Sequence, residues 1–182
     1  SLGDLKLWKL GAKMFHFILA LLFHVAVQAQ PADSVLDRVL NSYDPKIEVL
    51  KNESAGWSSF GCSVRRISVE GQDPISKSPR VVQLLEFSPK IFQSTILVLP
   101  PTGGENFLDR GWADYFCQNG MRSIIVQRWQ GDDFVSLDMG MHDINALRSL
   151  AAIRHSVEYS IQSGSSKIGI FGTSVGALSA AL

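Results

Sequence analysis

Three short apolar runs, STILVLP at 94–100, MRSIIVQ at 121–127 and KIGIF at 167–171, set the architecture this chain can adopt. Each is too short for a helix and nearly continuous in apolar character, so each reads as a strand covered on both faces, the mark of a parallel sheet. Between them the periodicity becomes helical. Leu108, Trp112 and Phe116 recur at four-residue steps in a helix over about 107–118, with Gly120 where a C-terminal cap belongs. Ala146, Leu150, Ile153, Val157 and Ile161 form one stripe of a longer helix over about 141–163 that ends at Gly164. Strands alternating with helices through right-handed crossovers make an α/β fold, a mostly parallel sheet with helices on both faces.

Upstream the pattern differs. FGCSVRRISVE (60–70) and VVQLLEFSPK (81–90) are rich in Val, Ile and Phe, and GQDPISKSPR joins them with the turn formers Gly71, Pro74 and Pro79. They read as an antiparallel pair at a sheet edge. Residues 30–59 have mixed character, a weak helical stretch at 34–40, and the breakers Asn41, Pro45 and Gly56, so they read as a lead-in packed on the domain's edge.

The KIGIF run leads directly into Gly172-Thr173-Ser174-Val175-Gly176, which fits G-x-S-x-G. In this motif the serine occupies a strained turn at the C-terminal end of a strand, and Gly172 and Gly176 remove side chains that would clash where strand and helix pack. The exposed hydroxyl can then meet a base, and the following helix aims its N-terminal N–H groups and positive dipole end at a developing oxyanion. The competing reading is a glycine-rich turn with an idle serine. A phosphate-binding turn fails on spacing, and no lysine follows the glycines. A second element follows the first parallel strand, Pro100-Pro101-Thr102-Gly103-Gly104. Acyl transfer needs two donors on the oxyanion. Val175, the residue after the nucleophile, offers one, and the N–H of Thr102, Gly103 or Gly104 is the candidate for the other.

The order of strand, PPTGG loop, helix, strand, helix, strand and GTSVGA resembles the α/β-hydrolase superfamily of serine hydrolases, over about Phe60 to Leu182. The resemblance implies a sheet of roughly eight strands, with the elbow serine after the fifth, then an acid, then a histidine. The PPTGG loop departs from the HGGG form of many lipases and esterases, and Ala177 stands where many relatives carry glycine. The acid and histidine have no counterpart between Ser174 and Leu182, so residues 60–182 read as an incomplete hydrolase domain cut after about its fifth strand, inactive alone. His16 and His24 fall in the N-terminal apolar segment. His142 and His155 are expected to be solvated residues of the long helix, with Asp143 capping its start. Asp132 and Asp133 follow the second parallel strand within reach of the site's mouth, with a polar loop as the favoured expectation, and Trp129 beside them lines a pocket or packs in the core.

The N-terminal stretch MFHFILALLFHVAVQAQ is apolar from Phe15 to Val27, follows Lys6, Lys9 and Lys13, and ends in small residues. It reads as a signal peptide spanning residues 1–29, cleaved after Ala29, in which residues 1–13 are either an upstream extension or the charged leader. Its apolar core is shorter than the roughly 20 residues of a membrane span, so contact with the membrane is expected to be transient. Export would permit a disulfide between Cys62 and Cys117, but two separately buried thiols are the favoured expectation, since spacing alone fixes no distance between them. Asn52-Glu53-Ser54 fits a glycosylation acceptor. With 17 basic and 17 acidic residues and no basic block, the chain lacks the footprint of a nucleic-acid binder. No metal or cofactor is expected.

The reading is therefore a secreted or periplasmic serine hydrolase acting on a small-molecule ester or related acyl substrate. Peptidase, thioesterase and acyltransferase chemistry use the same parts. The alternative is a non-catalytic exported binding protein on a hydrolase scaffold.

Overall fold

The computed structural model describes residues 44, 46–101, 104–128 and 139–174, with side chains from 144 onward in the last stretch. The expected signal segment, its expected cleavage point and the helical stretch expected at 34–40 lie outside these residues. Six strands, β1 (Glu48–Trp57), β2 (Ser63–Gln72), β3 (Pro79–Ser88), β4 (Ser94–Leu99), β5 (Arg122–Gln127) and β6 (Lys167–Gly172), form one sheet in the order β1-β2-β3-β5-β4-β6. Two helices, α1 (Phe107–Gln118) and α2 (Met139–Gln162), are the crossovers between β4 and β5 and between β5 and β6. Neighbours β5, β4 and β6 pair in parallel, whereas β1, β2, β3 and β5 pair antiparallel in turn. Strand β2 therefore points the same way as the parallel set, and only β1 and β3 run against it.

Adjacent residues of the central strands serve two cores. Leu84, Leu97, Ile124 and Val126 meet Ala152, Ile153 and Tyr159 of α2 on one face. Leu85, Phe87, Val98 and Ile125 meet Ala113 and Cys117 of α1 on the other. Burying each large side chain contributes roughly 1.5–3 kcal/mol, which explains why these runs show no polar alternation.

Several expectations need correction. The stretch read as a lead-in contains β1, all ten residues of which are exposed. Backbone pairing with β2 is enough to hold an edge strand without an apolar pattern, and Gly56, at φ +97°, sits where the register shifts. Among the described residues the β2/β3 pair is thus one strand in from the edge, and the Gly-Thr-Ser turn follows a sixth strand rather than a fifth. At the other edge, β6 is only half-buried, with Ile170 42% exposed, because among the described residues it pairs with β4 alone. Helix α1 is rotated by about one residue: Asp109, Ala113 and Cys117 face the sheet, while Leu108 and Trp112 are exposed. Trp112 packs sideways on Phe116 and Phe171, at ring separations of 6.1 and 5.1 Å.

Helix α2 turns a mixed face inward: of the expected stripe, Leu150, Ile153 and Val157 pack on the core with Ala152 and Tyr159, and polar residues share that face. Ala146 and Ile161 are exposed, and Asn145, Ser149, Ser156 and Ser160 are buried. The Ser156 and Ser160 hydroxyls donate to the Ala152 and Ser156 carbonyls one turn back, each at 2.7 Å, so small residues bring the helix close to the sheet without orphaned hydroxyls. The cysteines are not free thiols: Cys62, just before β2, is bonded to Cys117 in the last turn of α1.

Candidate active site

Parallel pairing of β4 with β6 sets Leu99 opposite Gly172, so the PPTGG loop and the Gly-Thr-Ser turn leave the sheet side by side at its C-terminal end. This is where open α/β sheets bind ligands. The Thr173 N–H donates to the Leu99 carbonyl at 3.3 Å, tying the two segments together. Ser174 is exposed and holds φ +53°, a left-handed conformation costly for a residue with a Cβ. A serine forced into that region at a strand's end is what a nucleophile elbow requires.

Gly104 also has positive φ, +85°, and its N–H donates to the Pro101 carbonyl at 3.0 Å. That turn uses the donor, so Gly104 is removed from the candidates for the oxyanion. Thr102, Gly103, Val175 and Gly176 lie outside the described residues. The loop runs into α1, where Asn106 caps the helix by accepting from the Leu108 and Asp109 N–H groups while Asp109 accepts from the Asn106 N–H. Burial pushes the Asp109 carboxyl above its usual range; the Asn106 N–H opposes this and the Glu105 charge adds to it.

No protein-family model and no curated protein matches the chain. Solved structures do. A putative acetyl xylan esterase from Bacteroides fragilis aligns with 79% of the chain at 14% identity and a TM-score of 0.53. The acetyl xylan esterase of Paenibacillus sp. R4 aligns with 80% of it at 12% identity and the same score. The chain has the α/β-hydrolase fold. It spans about half the length of these two hydrolase structures, 46% and 52%.

In this hydrolase fold the histidine expected to be solvated is buried. His155, 1% exposed, packs its ring on Gly71 of β2, four strands from β6 in the sheet order. It is the only histidine whose side chain is described, and it is not placed to serve Ser174. A Cβ at position 71 would lie 2.2 Å from the ring Nε2, so Gly71 is a strand residue required by His155 rather than part of the turn. The turn is instead built by Asp73, whose Oδ1 accepts from the Ile75 and Ser76 N–H groups, both at 2.9 Å. Asp143, expected as a cap, falls inside α2, which begins at Met139. Trp129, Asp132 and Asp133 lie outside the described residues.

Two predictions arise here. Gly71→Ala is expected to destabilise the domain by about 1–3 kcal/mol, since the confined imidazole has no room to yield. An unchanged urea midpoint would contradict this. The second concerns pH. Burial lowers the His155 pKa from 6.5 to about 4, so the unfolded chain binds the extra proton between those values. The stabilisation is complete above pH 6.5 and is lost as pH falls towards 4, by about 3 kcal/mol in all. Asp73 acts below that window. Burial raises its pKa, but the Ser76 and Ile75 N–H groups and the Arg148 guanidinium outweigh burial and hold it below 3.8, so its contribution disappears only at still lower pH. Urea midpoints of wild type and His155→Leu across pH 4–7 check this, and the variant should lose the His155 part of the dependence, leaving the opposite trend contributed by the raised Asp109 carboxyl.

Sequence reasoning missed two buried arginines. Arg122, at the start of β5, donates to Thr95 Oγ1 at 2.9 Å, Ser165 Oγ at 2.9 Å and the Ser160 carbonyl at 3.0 Å, and pairs with Glu86 at 3.4 Å. This cluster is at the sheet's other end and holds α2 to it. Arg128, just past the end of β5, is on the site's side. Neither carries a local signal, because both simply border an apolar strand.

Proposed function

We propose that the chain carries the nucleophile of an exported serine hydrolase acting on carboxylic esters. The observation that supports this most is the exposed Ser174 in left-handed backbone at the end of β6, next to the loop that follows β4. In this reading Ser174 Oγ attacks the acyl carbon and its proton passes to a histidine base, which is not His155. The Val175 N–H and an N–H of Thr102 or Gly103 hold the oxyanion. The alcohol leaves with the proton, and water then releases the acid from the acyl-serine. Esters are favoured over amides or thioesters because the two matched proteins are named as acetyl xylan esterases. The Cys62–Cys117 bond supports passage through an oxidising compartment, secreted or periplasmic.

Treatment of the full-length gene product with a fluorophosphonate probe tests the reading. An adduct located on the peptide containing Ser174 is expected; a folded protein that takes up no probe would overturn it.

A further inference from the structure

We propose that β1 is a dimer interface, pairing antiparallel with β1 of a second copy of this chain so that Asn52 faces Asn52 and the two sheets become one. All ten residues of β1 are exposed, and among the described residues its one strand neighbour is β2, so the outer row of its backbone N–H and C=O groups is open to another strand. Lysine on an edge strand normally deters such pairing. Here the lysine has its complement two residues on. Lys51 and Glu53 stand opposite Ser68 and Arg66, and Arg66 stands opposite Leu85 of the core under α1, so both charges are on the α1 face. Within one chain they pair at 3.0 Å, an exposed contact that contributes little. With Asn52 at the centre, each Lys51 lies opposite Glu53 of the second copy, twice in the interface. Moving the centre by one residue, to Lys51 or to Glu53, sets like charges face to face, which fixes the register.

The ends of the strand agree with the same register, which brings Trp57 opposite Ile47 of the second copy. Trp57 is 71% exposed and stands opposite Ser63, four residues before Ile67 of the core under α2, so it points to the α2 face. Ile47 packs against that same core. Residues directly opposite in an antiparallel pair share a face, as these two do. Ile47 also lines a cavity of about 480 Å³ with Gly71 and Pro79, where Lys46 and Lys77 present cations to an indole ring. Trp57 of each copy enters the cavity beside Ile47 of the other. The register shifts of β1 preserve the match. One falls between Val49 and Lys51 and the other between Ser54 and Gly56, one in each arm, so positions 47 and 57 still meet in step.

The test uses the full-length protein made in a bacterial host, so that Asn52 carries no glycan, with mass measured by light scattering after gel filtration. Wild type is expected as a dimer. Lys51→Glu and Glu53→Lys should each give monomers, because each sets like charges opposite one another. The double variant Lys51→Glu, Glu53→Lys should dimerise again, since the swap restores every pair. Trp57→Ala should weaken dimerisation by roughly 30-fold. Asn52→Cys reports the register directly: residues opposite in an antiparallel pair lie about 4.5–5.5 Å apart between Cα atoms, within disulfide reach. It should oxidise to a covalent dimer, and Ser54→Cys should not. All these positions are exposed, so the variants should keep the fold. A wild type that is monomeric up to its solubility limit would overturn the proposal and leave the edge bare or for an unlike partner. So would a dimer that both single charge variants leave intact, which would place the interface elsewhere, or a folded double variant that stays monomeric.

Discussion

Ser174→Ala is expected to lower ester hydrolysis by the full-length protein by more than about 10⁴-fold while leaving its stability within about 0.5 kcal/mol. The two halves of this expectation have separate causes. On the proposed reading the activity depends on one oxygen, which would form the covalent acyl intermediate. The stability is indifferent because the side chain is exposed and the cost of φ +53° is paid by alanine as much as by serine. Ser174→Gly distinguishes the backbone from the hydroxyl. It should be equally inactive but somewhat more stable, since glycine adopts positive φ freely. Residual hydrolysis by Ser174→Ala within tenfold of wild type would mean that the turn is strained for another reason and that the nucleophile lies elsewhere.

Removing the Cys62–Cys117 bond is the other large effect. The cysteines are 55 residues apart, and cross-linking a loop of that length removes entropy from the unfolded chain worth about 4 kcal/mol. Both cysteines are buried in the core between α1 and the sheet, with Val64, Phe87, Ala113 and Ile125, so the bond also joins the start of β2 to the last turn of the helix covering it. Domain stabilities are about 5–15 kcal/mol, which makes this a large share. The Cys62→Ser, Cys117→Ser double variant should therefore unfold at a much lower denaturant concentration than wild type. Adding a reductant should bring wild type down to the double variant and leave the latter unchanged. Equal midpoints without reductant would show that the bond does not form in solution.

The legible parts of this fold were those whose physics is local. STILVLP, MRSIIVQ and KIGIF are apolar without alternation, and each became a strand because buried backbone must pair. The GTS turn was legible for the same reason, since glycine spacing and a serine between strand and helix bear on a few consecutive torsions. Strand β1 was not legible, because an edge strand held by backbone hydrogen bonds needs no apolar period and its residues are exposed. The inward face of α1 was missed by one position. Leu108 and Trp112 look like core, but the sheet contacts Ala113 and Cys117, where small side chains allow close approach and the disulfide is made.

The site divides in the same way. Ser174 and the PPTGG loop were found as two motifs, but only the parallel register of β4 with β6 made them neighbours, and only the turn at Pro101 showed that the Gly104 N–H is already committed. His155 had a readable signal in retrospect. It shares its helix face with Ala152, Ser156 and Tyr159, and Gly71 interrupts a Val/Ile strand where another group approaches closely. Arg128 had none, because its partners are a carbonyl and a hydroxyl on two other elements.

The sequence by itself determined the α/β alternation and the tight turn at Ser174, since periodicity, chain stiffness and glycine's freedom act over a few residues. The tertiary structure decided which thiols meet, which histidine is buried and which arginine donates to the Pro100 carbonyl. Those outcomes depend on distances between segments far apart in the chain, and packing α1 and α2 on opposite faces of the sheet is what sets them.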